Sequence, residues 1–588
     1  MSLDSKKIVE EYLHQSDWRV RENSNSPYCI GGLEKHIKSE VIKDYWLRYV
    51  YPENIAKGYI KGDYHIHDLG GLTLYCCGYS LRDVIDKGVQ GIPNVPVSHP
   101  AKHFDSVLNQ LANLVTVFQN EIMGAVAFNS FDTLLAPFVK NDNLTYGQVY
   151  QSMQNFIYSI NSNSRGGAEP AFSNLTLDIT PSNDLLDQFV SVGGELLDFT
   201  YRDCQPEIDM INKAFYHLML DGDAKGRPFA YPIPTYNIHK RFDWDNPIND
   251  PLFEMAGKYG YPYFANFQNS DMSPEDIRSM CCRLSLNLKE LSRRNGGLFG
   301  AGDSTGSLGV VTINLPRIAY RNKNNKRGFY QDLTSMLELA KQSLEIKRDF
   351  LQREVIDTNL TPAYNTYVGT IKNHFSTIGV VGMNEMCENF FEDGQNILTT
   401  EGRNFALEVG SFIRDKLIEF QKETGNLYNF EASPSESTCY RLAQLDRKEF
   451  PKIITRGTKK APYYTNSCHI PVSEVEGIKQ LFDHQDDLQI MFTGGTVVHV
   501  FLNMAIDKYK AKQIIKTVCE NYRVPYISLS PLNRYCPDHG YINTDTDVCP
   551  ICNKPLDLYQ RITGYLRKVE NFNDGKKSEF KERRQLKV

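Results

Sequence analysis

The stretch Arg561-Ile-Thr-Gly-Tyr-Leu566 lies near the C-terminus and is soon followed by Asn573-Asp-Gly-Lys-Lys-Ser-Glu-Phe580. Two pairs of residues that commonly bind metals stand just upstream, in Cys536-Pro-Asp-His539 and Cys549-Pro-Ile-Cys552. The chain therefore places a four-ligand metal site directly ahead of one small glycine segment near its end. The prediction of the fold starts from this order of motifs.

The two upstream pairs predict a structural zinc site. Each pair separates its ligands by two residues, as zinc knuckles do, and three cysteines with one histidine form an accepted zinc set. Four protein ligands, Cys536, His539, Cys549 and Cys552, leave no coordination position open for chemistry. Two alternatives stay open: a redox-active CxxC pair beside an incidental histidine, or a zinc ribbon that binds nucleic acid. The stretch between the pairs lacks an Arg/Lys cluster, which argues against nucleic acid.

Taken together, these motifs resemble the C-terminus of the class III (anaerobic) ribonucleotide reductases, which are glycyl radical enzymes. The match continues downstream as N-x-G-K-x-x-E-F-x-x-R and ends at Arg583. The resemblance implies that Gly564 carries a stored radical and that the metal knuckle fixes the base of its loop. Glycine suits a Cα radical because it has no Cβ to clash with a planar centre, and its backbone freedom lets a loop tip enter a pocket. The alternative is an ordinary turn glycine between a knuckle and a tail.

The resemblance covers nearly the whole chain, from about residue 18 to Arg583. It implies a ten-stranded α/β barrel of two five-stranded halves, with loops threaded through the centre. It also implies reduction of ribonucleoside triphosphates without oxygen, after a separate S-adenosylmethionine/iron–sulfur activase has installed the radical. Deoxynucleoside triphosphate and ATP effectors would bind at a homodimer interface, on helices at about 101–165. Because family-like sequence starts at Trp18, we expect no ATP-cone domain ahead of the core.

The pattern of the residues themselves predicts an α/β architecture with parallel strands, because strand-like and helical stretches alternate. Strand-like segments are 72–75, 172–177, 310–314, 378–382 and 499–502. Helical periodicity is present at 33–60, at 101–160 with a break near 140–144, and at 331–355, 400–423 and 507–521. The pattern does not separate a barrel from an open sheet. We expect a catalytic core over 1–530, a zinc-binding knuckle over 531–555 and a radical loop with its tail over 556–588.

Composition places the chain among folded cytoplasmic proteins. It has 588 residues, of which 41% are hydrophobic and 12% aromatic, enough for a large core. Its formal net charge is −6, which does not suggest a nucleic-acid or anionic-membrane surface. We find no signal peptide and no apolar run of membrane-spanning length. The thirteen cysteines should therefore be thiols, metal ligands or redox groups instead of structural disulfides.

Two cysteine pairs match the chemistry that the resemblance implies. Ribonucleotide reduction needs a thiyl radical to take the 3′-hydrogen and a reductant for the 2′ position. Cys281-Cys-Arg precedes a glycine-rich stretch and resembles the family's finger loop, which implies Cys282 as the thiyl residue and Cys281 as the second choice. Cys76 matches the cysteine that assists reduction at the 2′ carbon. It follows His65-Ile-His-Asp68, for which a polar strand end is the simpler interpretation and a metal site the alternative.

Ser307 bears on the identity of the reductant. Formate-using members of the family carry an asparagine immediately before the L-G-V-V segment, where this chain has Ser307. The departure argues against formate and for a thioredoxin- or glutaredoxin-like dithiol. Such a mechanism needs a second cysteine that pairs with Cys76, and the candidates are Cys281, Cys468 and Cys439. The alternative for Cys439, and the expectation for Cys387, Cys519 and Cys204, is an ordinary buried thiol.

The segment Glu431-Ala-Ser-Pro-Ser-Glu436 predicts the start of a helix. Ser433 fits the N-cap, Pro434 the first helical position and Glu436 the third, which together form a capping box. The segment is similar to the family's T-P-A-E, which implies that this helix end faces the active site, where free N–H groups could bind phosphate. A well-capped helix without such a role explains the residues equally well. Thr493-Gly-Gly-Thr496 also resembles a family turn that allows close approach of a ligand or of the radical loop.

Two other functions stay open from the sequence. Another glycyl radical enzyme, such as a formate-lyase-like acyltransferase, would share the barrel and radical loop but would not need the zinc knuckle. A zinc-dependent nucleic-acid-binding protein is a more distant alternative, and the acidic charge balance argues against it.

Overall fold

The computed structural model describes residues 3–22, 28–269, 277–279, 285–287 and 304–588. Helices and short strands alternate along these residues, as predicted. The helices are α1 (Ser5–Leu13), α2 (Trp18–Glu22), α3 (Ile30–Tyr45), α4 (Glu53–Lys61), α5 (Leu81–Lys87), α6 (Phe104–Glu121), α7 (Phe131–Asn141), α8 (Tyr146–Ile160), α9 (Asn183–Leu186), α10 (Gln205–Asp221), α11 (Asp250–Lys258), α12 (Leu315–Arg321), α13 (Lys326–Leu351), α14 (Pro362–Tyr367), α15 (Met383–Phe390), α16 (Thr400–Thr424), α17 (Glu436–Glu449), α18 (Ile478–Ile490), α19 (Lys508–Asn521) and α20 (Asp574–Glu582).

Most strands are short. They are β1 (Tyr64–Ile66), β2 (Cys76–Tyr79), β3 (Val126–Phe128), β4 (Ser173–Leu177), β5 (Phe189–Val192), β6 (Glu195–Thr200), β7 (Ile233–Ile238), β8 (Tyr263–Asn266), β9 (Ile277–Ser279), β10 (Ser285–Asn287), β11 (Thr305–Asn314), β12 (His374–Val381), β13 (Leu427–Glu431), β14 (Arg456–Gly457), β15 (Pro462–Tyr463), β16 (Val498–Leu502), β17 (Tyr526–Pro531), β18 (Asn533–Cys536), β19 (Gly540–Tyr541), β20 (Asp557–Arg561) and β21 (Leu566–Lys568).

Ten strands form one sheet in the order β13-β12-β11-β2-β3-β4-β7-β8-β17-β16, and β1 adds to β11. Strands β2, β3, β4, β7 and β8 run parallel to one another. They join the other five through antiparallel pairs, β2 with β11 and β8 with β17. At the two ends of the order, the N–H of Gly494 donates to Phe430 O and that of Ala432 to Gly495 O, both at 2.7 Å. The sheet thus closes into the predicted ten-stranded barrel of two five-stranded halves.

The wall of the barrel is buried on both faces, which explains why its central strands are almost continuously apolar or small. All residues of β11 and β12 are buried. The outer face, with residues such as Leu175 and Leu177, joins the main hydrophobic core that the helices cover. Smaller clusters occupy the inner face, and one of them contains Cys76, Ala125 and Phe375. The interior is therefore a separate compartment in which polar and reactive side chains lie among a few apolar ones.

Local sequence predicted the long elements better than the short ones. The predicted helices 400–423 and 507–521 correspond to α16 and α19, and the predicted break near 140–144 separates α7 from α8. The strand predicted at 72–75 is wrong, because the strand is β2, which starts at Cys76. Strand β3 inside 101–160 was missed. Both strands are only three or four residues long and are held by pairing with neighbouring strands. Local periodicity therefore does not reveal them.

A second, four-stranded antiparallel sheet in the order β19-β18-β20-β21 follows the barrel. Strand β18 starts two residues after β17 ends, and α20 closes the tail. The sheet carries the predicted metal ligands at one end and Gly564 at the other. None of the helices in the described ranges is long and apolar enough to cross a lipid bilayer.

Candidate active site and metal centre

The glycine loop, residues 562–565, connects β20 to β21 and is held inside the protein. Arg561 pairs with Leu566 across the two strands, and Gly564 at the tip is buried. Its φ lies outside the left-handed region, and a Cβ there would meet only Glu436 Oε1, at 3.9 Å. Neither backbone conformation nor crowding therefore requires glycine at this position. The structure therefore gives no steric reason for an ordinary turn glycine at this position.

Both polar groups of Gly564 have partners from distant parts of the chain. Its N–H donates to Glu436 Oε1 at 3.1 Å, and the hydroxyl of Tyr565 donates to the other carboxylate oxygen, also at 3.1 Å. Its carbonyl accepts from Arg561 Nη1 at 2.9 Å and from the hydroxyl of Tyr263. The peptide groups on both sides of this Cα are thus fixed in orientation. Tyr263 was missed in the sequence because it is one of 34 tyrosines and lies 301 residues from Gly564.

The predicted capping box is wrong, although the helix is where it was expected. Helix α17 starts at Glu436, its N-cap is Ser435, and the serine side chain makes no capping bond. Ser433 instead donates to Glu431 Oε2 at 3.1 Å. The Glu436 carboxylate does not cap the helix because it accepts the two hydrogen bonds from the glycine loop. The resemblance implies that this helix end faces the active site, and in the structure it lies against the glycine loop.

The C-terminal helix explains the downstream part of the motif. Arg583 donates to the carbonyls of Arg561 and Ile562, each at 2.9 Å, and to Glu579 Oε1 at 2.9 Å. Asn573 caps α20 and donates to Glu436 O at 3.2 Å. A Cβ at Gly575 would lie 2.7 Å from the ring of Tyr440. Residues of the N-x-G-K-x-x-E-F-x-x-R match therefore clamp the glycine loop and the helix that contacts it.

Tyr565 links the glycine loop to the rest of the interior. Its ring packs edge-on against Phe172, with centroids 5.8 Å apart, and the Arg567 guanidinium lies 3.9 Å from the ring centroid. Burial raises the pKa of the Tyr565 phenol, so the hydroxyl keeps its proton and can donate to Glu436. Phe172 also packs against the inner cluster that contains Cys76. One aromatic ring therefore touches both the loop and the Cys76 cluster.

Cys76 and Ser307 are brought together at the junction of the two barrel halves, which we call the Cys76 seam. They are direct partners in the antiparallel pair of β2 with β11. The Cys76 sulfur accepts the N–H of Ala125 at 3.4 Å, and a Cβ at Gly124 would overlap it. The Ser307 hydroxyl shares a 2.9 Å hydrogen bond with Thr377 Oγ1. The predicted reducing cysteine and the predicted reductant-determining serine thus line the same inner wall.

The adjacent Cys77 belongs to a different environment. Strand alternation turns it toward the main core, and burial raises the pKa of its thiol. Burial also raises the pKa of Cys439 and Cys468, the candidate partners of Cys76. Neither of these two belongs to the apolar cluster around Cys76. The remaining predicted ordinary thiols are all buried: Cys204, Cys387 and Cys519.

Cys281 and Cys282 lie outside the described residues, as does most of the glycine-rich stretch that follows them. On either side, β9 and β10 pair antiparallel, with Ser279 opposite Ser285. The assignment of the thiyl residue rests on the sequence alone.

The two histidines ahead of Cys76 do not form a metal centre with Asp68. His67 Nε2 lies 2.8 Å from Thr312 Oγ1, and His65 Nδ1 lies 3.3 Å from Arg441 Nη1. Burial lowers the pKa of both, that of His67 to about 4, so both rings are neutral. Among the described residues, the group of side chains that converges as metal ligands is the C-terminal one.

That group has the geometry of a four-ligand site. The ligand atoms of Cys536, His539, Cys549 and Cys552 all lie within 4.8 Å of one another. The Cys536 sulfur is 3.6 Å from that of Cys552 and 3.4 Å from His539 Nδ1. Two sulfurs bound about 2.3 Å from one tetrahedral zinc would lie about 3.8 Å apart, so the cluster is close to the spacing that zinc requires. Three thiols and an imidazole form a soft donor set that suits zinc.

The metal cluster and the glycine loop are mechanically connected. Cys536 ends β18, which pairs with β20, and β20 runs directly into the loop. Cys549 and Cys552 lie in the connection that leads into β20. An ion held by these residues would fix the register from which the loop projects.

Comparison with known proteins gives a consistent result over nearly the full chain. The family model described as anaerobic ribonucleoside-triphosphate reductase matches residues 22–586. The anaerobic ribonucleoside-triphosphate reductase of Escherichia coli is 23% identical over 96% of this chain and 83% of its own length. A solved anaerobic ribonucleotide reductase superposes with a TM-score of 0.79 at 21% identity, covering 99% of this chain and 93% of that one. The Thermotoga maritima enzyme in complex with dATP and CTP gives 0.75 at 20% identity, over 98% and 100%.

Proposed function

This chain belongs to the anaerobic ribonucleoside-triphosphate reductase family, and we propose that it drives this reaction with a radical stored on Gly564. The enzyme is an oxidoreductase that converts ribonucleoside triphosphates to 2′-deoxyribonucleoside triphosphates. A formate-lyase-like acyltransferase and a nucleic-acid-binding protein are not favoured by the family match. One observation carries the radical assignment: Gly564 is buried and held at both its N–H and its carbonyl, although nothing in the backbone requires glycine.

The surroundings of Gly564 suit a Cα radical for a chemical reason. Such a radical is stabilised when the nitrogen lone pair and the carbonyl both conjugate with a planar centre. Hydrogen bonds with Glu436, Arg561 and Tyr263 fix the two peptide planes and oppose rotation out of conjugation. The space beside the Cα is open, so the centre can flatten without a clash.

The hydrogen abstraction itself requires a second radical site, for which we propose Cys282, with Cys281 as the alternative. A thiyl radical on this residue would remove the 3′-hydrogen of the substrate. The 2′-hydroxyl then leaves as water, and two thiols supply two electrons and end as a disulfide. Cys76 is our candidate for one of these thiols because it lies on the inner wall of the barrel.

We assign the reductant to the thioredoxin or glutaredoxin class. The Ser307 hydroxyl is short and already bonded to Thr377 Oγ1, so it does not reach into the interior as an asparagine amide would. The second cysteine of the disulfide is left among Cys281, Cys439 and Cys468.

Zinc is the ion that we propose for Cys536, His539, Cys549 and Cys552, because the donor set and spacing fit it. When bound, it would supply structural cross-linking and no catalytic step, since four protein ligands fill its coordination shell. Residues 531–555 would then form a knuckle that supports the radical loop and tail at 556–588.

Other partners follow from the family. The Thermotoga maritima enzyme binds dATP and CTP, and we propose deoxynucleoside triphosphate and ATP effectors for this chain, bound at about 101–165 in a homodimer. The activase is a separate S-adenosylmethionine/iron–sulfur enzyme. We place the chain in the cytoplasm.

Anaerobic incubation with activase, S-adenosylmethionine and an electron donor tests the central assignment. We expect a glycyl EPR doublet in the native chain and none in Gly564→Ala. Because an alanine Cβ would meet only one atom, at 3.9 Å, the variant should fold normally. Gly477→Ala is the matched control, since a Cβ on that glycine would have no atom within 4 Å and its φ of −176° is extended. A full doublet in Gly564→Ala would end the assignment.

A further inference from the structure

The strand pairing along one edge of β11 has a break directly beside Cys76, which we call the gap. On one edge, β11 pairs with β2 through Thr305–Ser307 and with β1 through Val311–Ile313. Between these two partners, at Leu308 and Gly309, the register with β12 also shifts. The strand therefore changes neighbours at the point where Ser307 faces Cys76, and no other strand covers the edge there within the described residues.

Lys347 reaches this gap from outside the barrel. It lies on α13, which packs against β11, and its side chain is buried. Its Nζ is 3.0 Å from the point where a Cβ on Gly309 would lie. The missing side chain at Gly309 thus makes room for the ammonium, and a larger residue would displace it.

Neighbouring cations on the same helix pair with carboxylates or with backbone carbonyls. Lys341 pairs with Glu338 at 2.6 Å and with Glu423 at 2.7 Å. Arg348 donates to the carbonyls of Ile371 and His374, each at 2.9 Å. Lys347 instead ends beside Gly309, two residues from Ser307, where a buried cation needs an electrostatic reason to be present.

The charged groups around Lys347 supply that reason. Burial lowers the pKa of Lys347 to about 8. Asp68, on the β1–β2 connection, and Cys76 oppose this shift because both favour the charged form of the lysine. His67 is the third titratable neighbour, and the lysine charge adds to burial in lowering its pKa to about 4. The other residues at the seam, Ala125 just ahead of β3 and Ser307 on β11, carry no group that titrates in this range. Since the attraction between two charges is mutual, the ammonium favours the thiolate of Cys76 as much as the thiolate favours the ammonium.

We propose that Lys347, from its place beside this gap in the strand pairing, is a positioning residue that stabilises the thiolate of Cys76. The inference deepens the proposed function, on which its catalytic meaning rests. In thiol–disulfide exchange, a thiolate of the dithiol reductant attacks the partner sulfur of a Cys76 disulfide. The S–S bond breaks with its electron pair on Cys76, which leaves as a thiolate, and an adjacent ammonium speeds that step. Asp68 holds the lysine in its charged form.

The test compares thiolate titrations by absorbance at about 240 nm between about pH 5 and pH 9.5, a range that spans the ordinary thiol pKa. The difference between the native chain and Cys76→Ala isolates the titration of Cys76, whether or not a reagent can reach it. The same difference in a Lys347→Met background isolates it without the ammonium. We expect the Cys76 midpoint to rise by about one pH unit or more, and dithiol-dependent turnover near pH 7 to fall about tenfold or more. The glycyl EPR signal should not change.

Lys341→Met is the matched control, a buried lysine on the same helix that does not face the seam, and it should leave the midpoint unchanged. If Lys347→Met fails to fold, Lys347→Gln keeps a polar group in the gap and gives the same comparison. A Cys76 midpoint that stays within about 0.3 pH units of the native value without Lys347 overturns the inference. Normal turnover in Cys76→Ala with a shifted midpoint would instead refute the catalytic role of Cys76 and leave the electrostatic coupling standing.

Discussion

The glycine loop and the Cys76 seam face the same interior, yet the chain assembles them in different ways. The loop is one contiguous hairpin whose partners, Glu436 and Tyr263, come to it as single side chains. The seam exists only because β2 and β11, more than two hundred residues apart, pair antiparallel. The loop therefore has a sequence motif of its own, whereas the seam is a product of topology. Phe172 touches both, so one side chain links the two regions.

The sharpest separation of the two regions comes from Cys76→Ala. We expect it to keep the full glycyl EPR signal while deoxynucleotide formation falls to the background level, because radical storage and reduction at the 2′ carbon are separate steps. Cys77→Ala is the control, as the neighbouring thiol faces the main core. If Cys76→Ala also loses the radical, the two regions are not independent.

Loss of the metal should act on the loop and spare the seam. Native protein should contain about one zinc per chain. Cys549→Ser should lower the zinc content and remove most of the glycyl signal, because the sheet that carries the loop loses its cross-link. Cys519→Ser, at a buried cysteine outside the cluster, should keep both. A zinc-free protein with an undiminished radical yield would contradict this connection.

Glu436→Gln should produce a smaller effect on the same loop. The amide can still accept one bond from Gly564 but loses the charge that strengthens it, a change worth about 1 kcal/mol, the difference between a charged and a neutral hydrogen bond. We expect the radical yield by EPR spin counting to fall about tenfold or less. Glu449→Gln, at the other end of α17, is the control. A yield equal to that of the native chain would show that the carboxylate does not support the radical.

The smallest effect is expected at the seam. Ser307→Ala removes one hydrogen bond with Thr377, worth about 1 kcal/mol. Turnover with a dithiol protein should change less than about fivefold, and Ser343→Ala should change it no more. Formate as the sole reductant should support no turnover in the native chain or in Ser307→Ala. Multiple turnovers with formate would show that Ser307 does not report the reductant.

The same contrast explains how far the sequence could lead. Helix α16 was predicted almost to its ends because its boundaries are local: Thr399 caps it and Gly425, with φ of 73°, terminates it. The convergence of the four proposed metal ligands was predicted because their spacing is local, and Gly564 was singled out because it lies in a contiguous motif. Tyr263 and Lys347 were not, since each acts through a strand or helix that tertiary pairing brings into place. The prediction of a capping box was wrong because the Glu436 carboxylate accepts the N–H of Gly564 instead. A contact between residues so far apart in the sequence leaves no local pattern.

The position of the barrel strands along the chain sets the order in which the molecule can be built. The last of them, β17, ends at Pro531, and the metal ligands, glycine loop and α20 all follow it. During synthesis, the chain folds from its N-terminal side while the rest is still being made. The ring can therefore close before the glycine loop has left the ribosome, and the loop can then insert into it. A segment that enters a finished ring can also leave it without unfolding the ring.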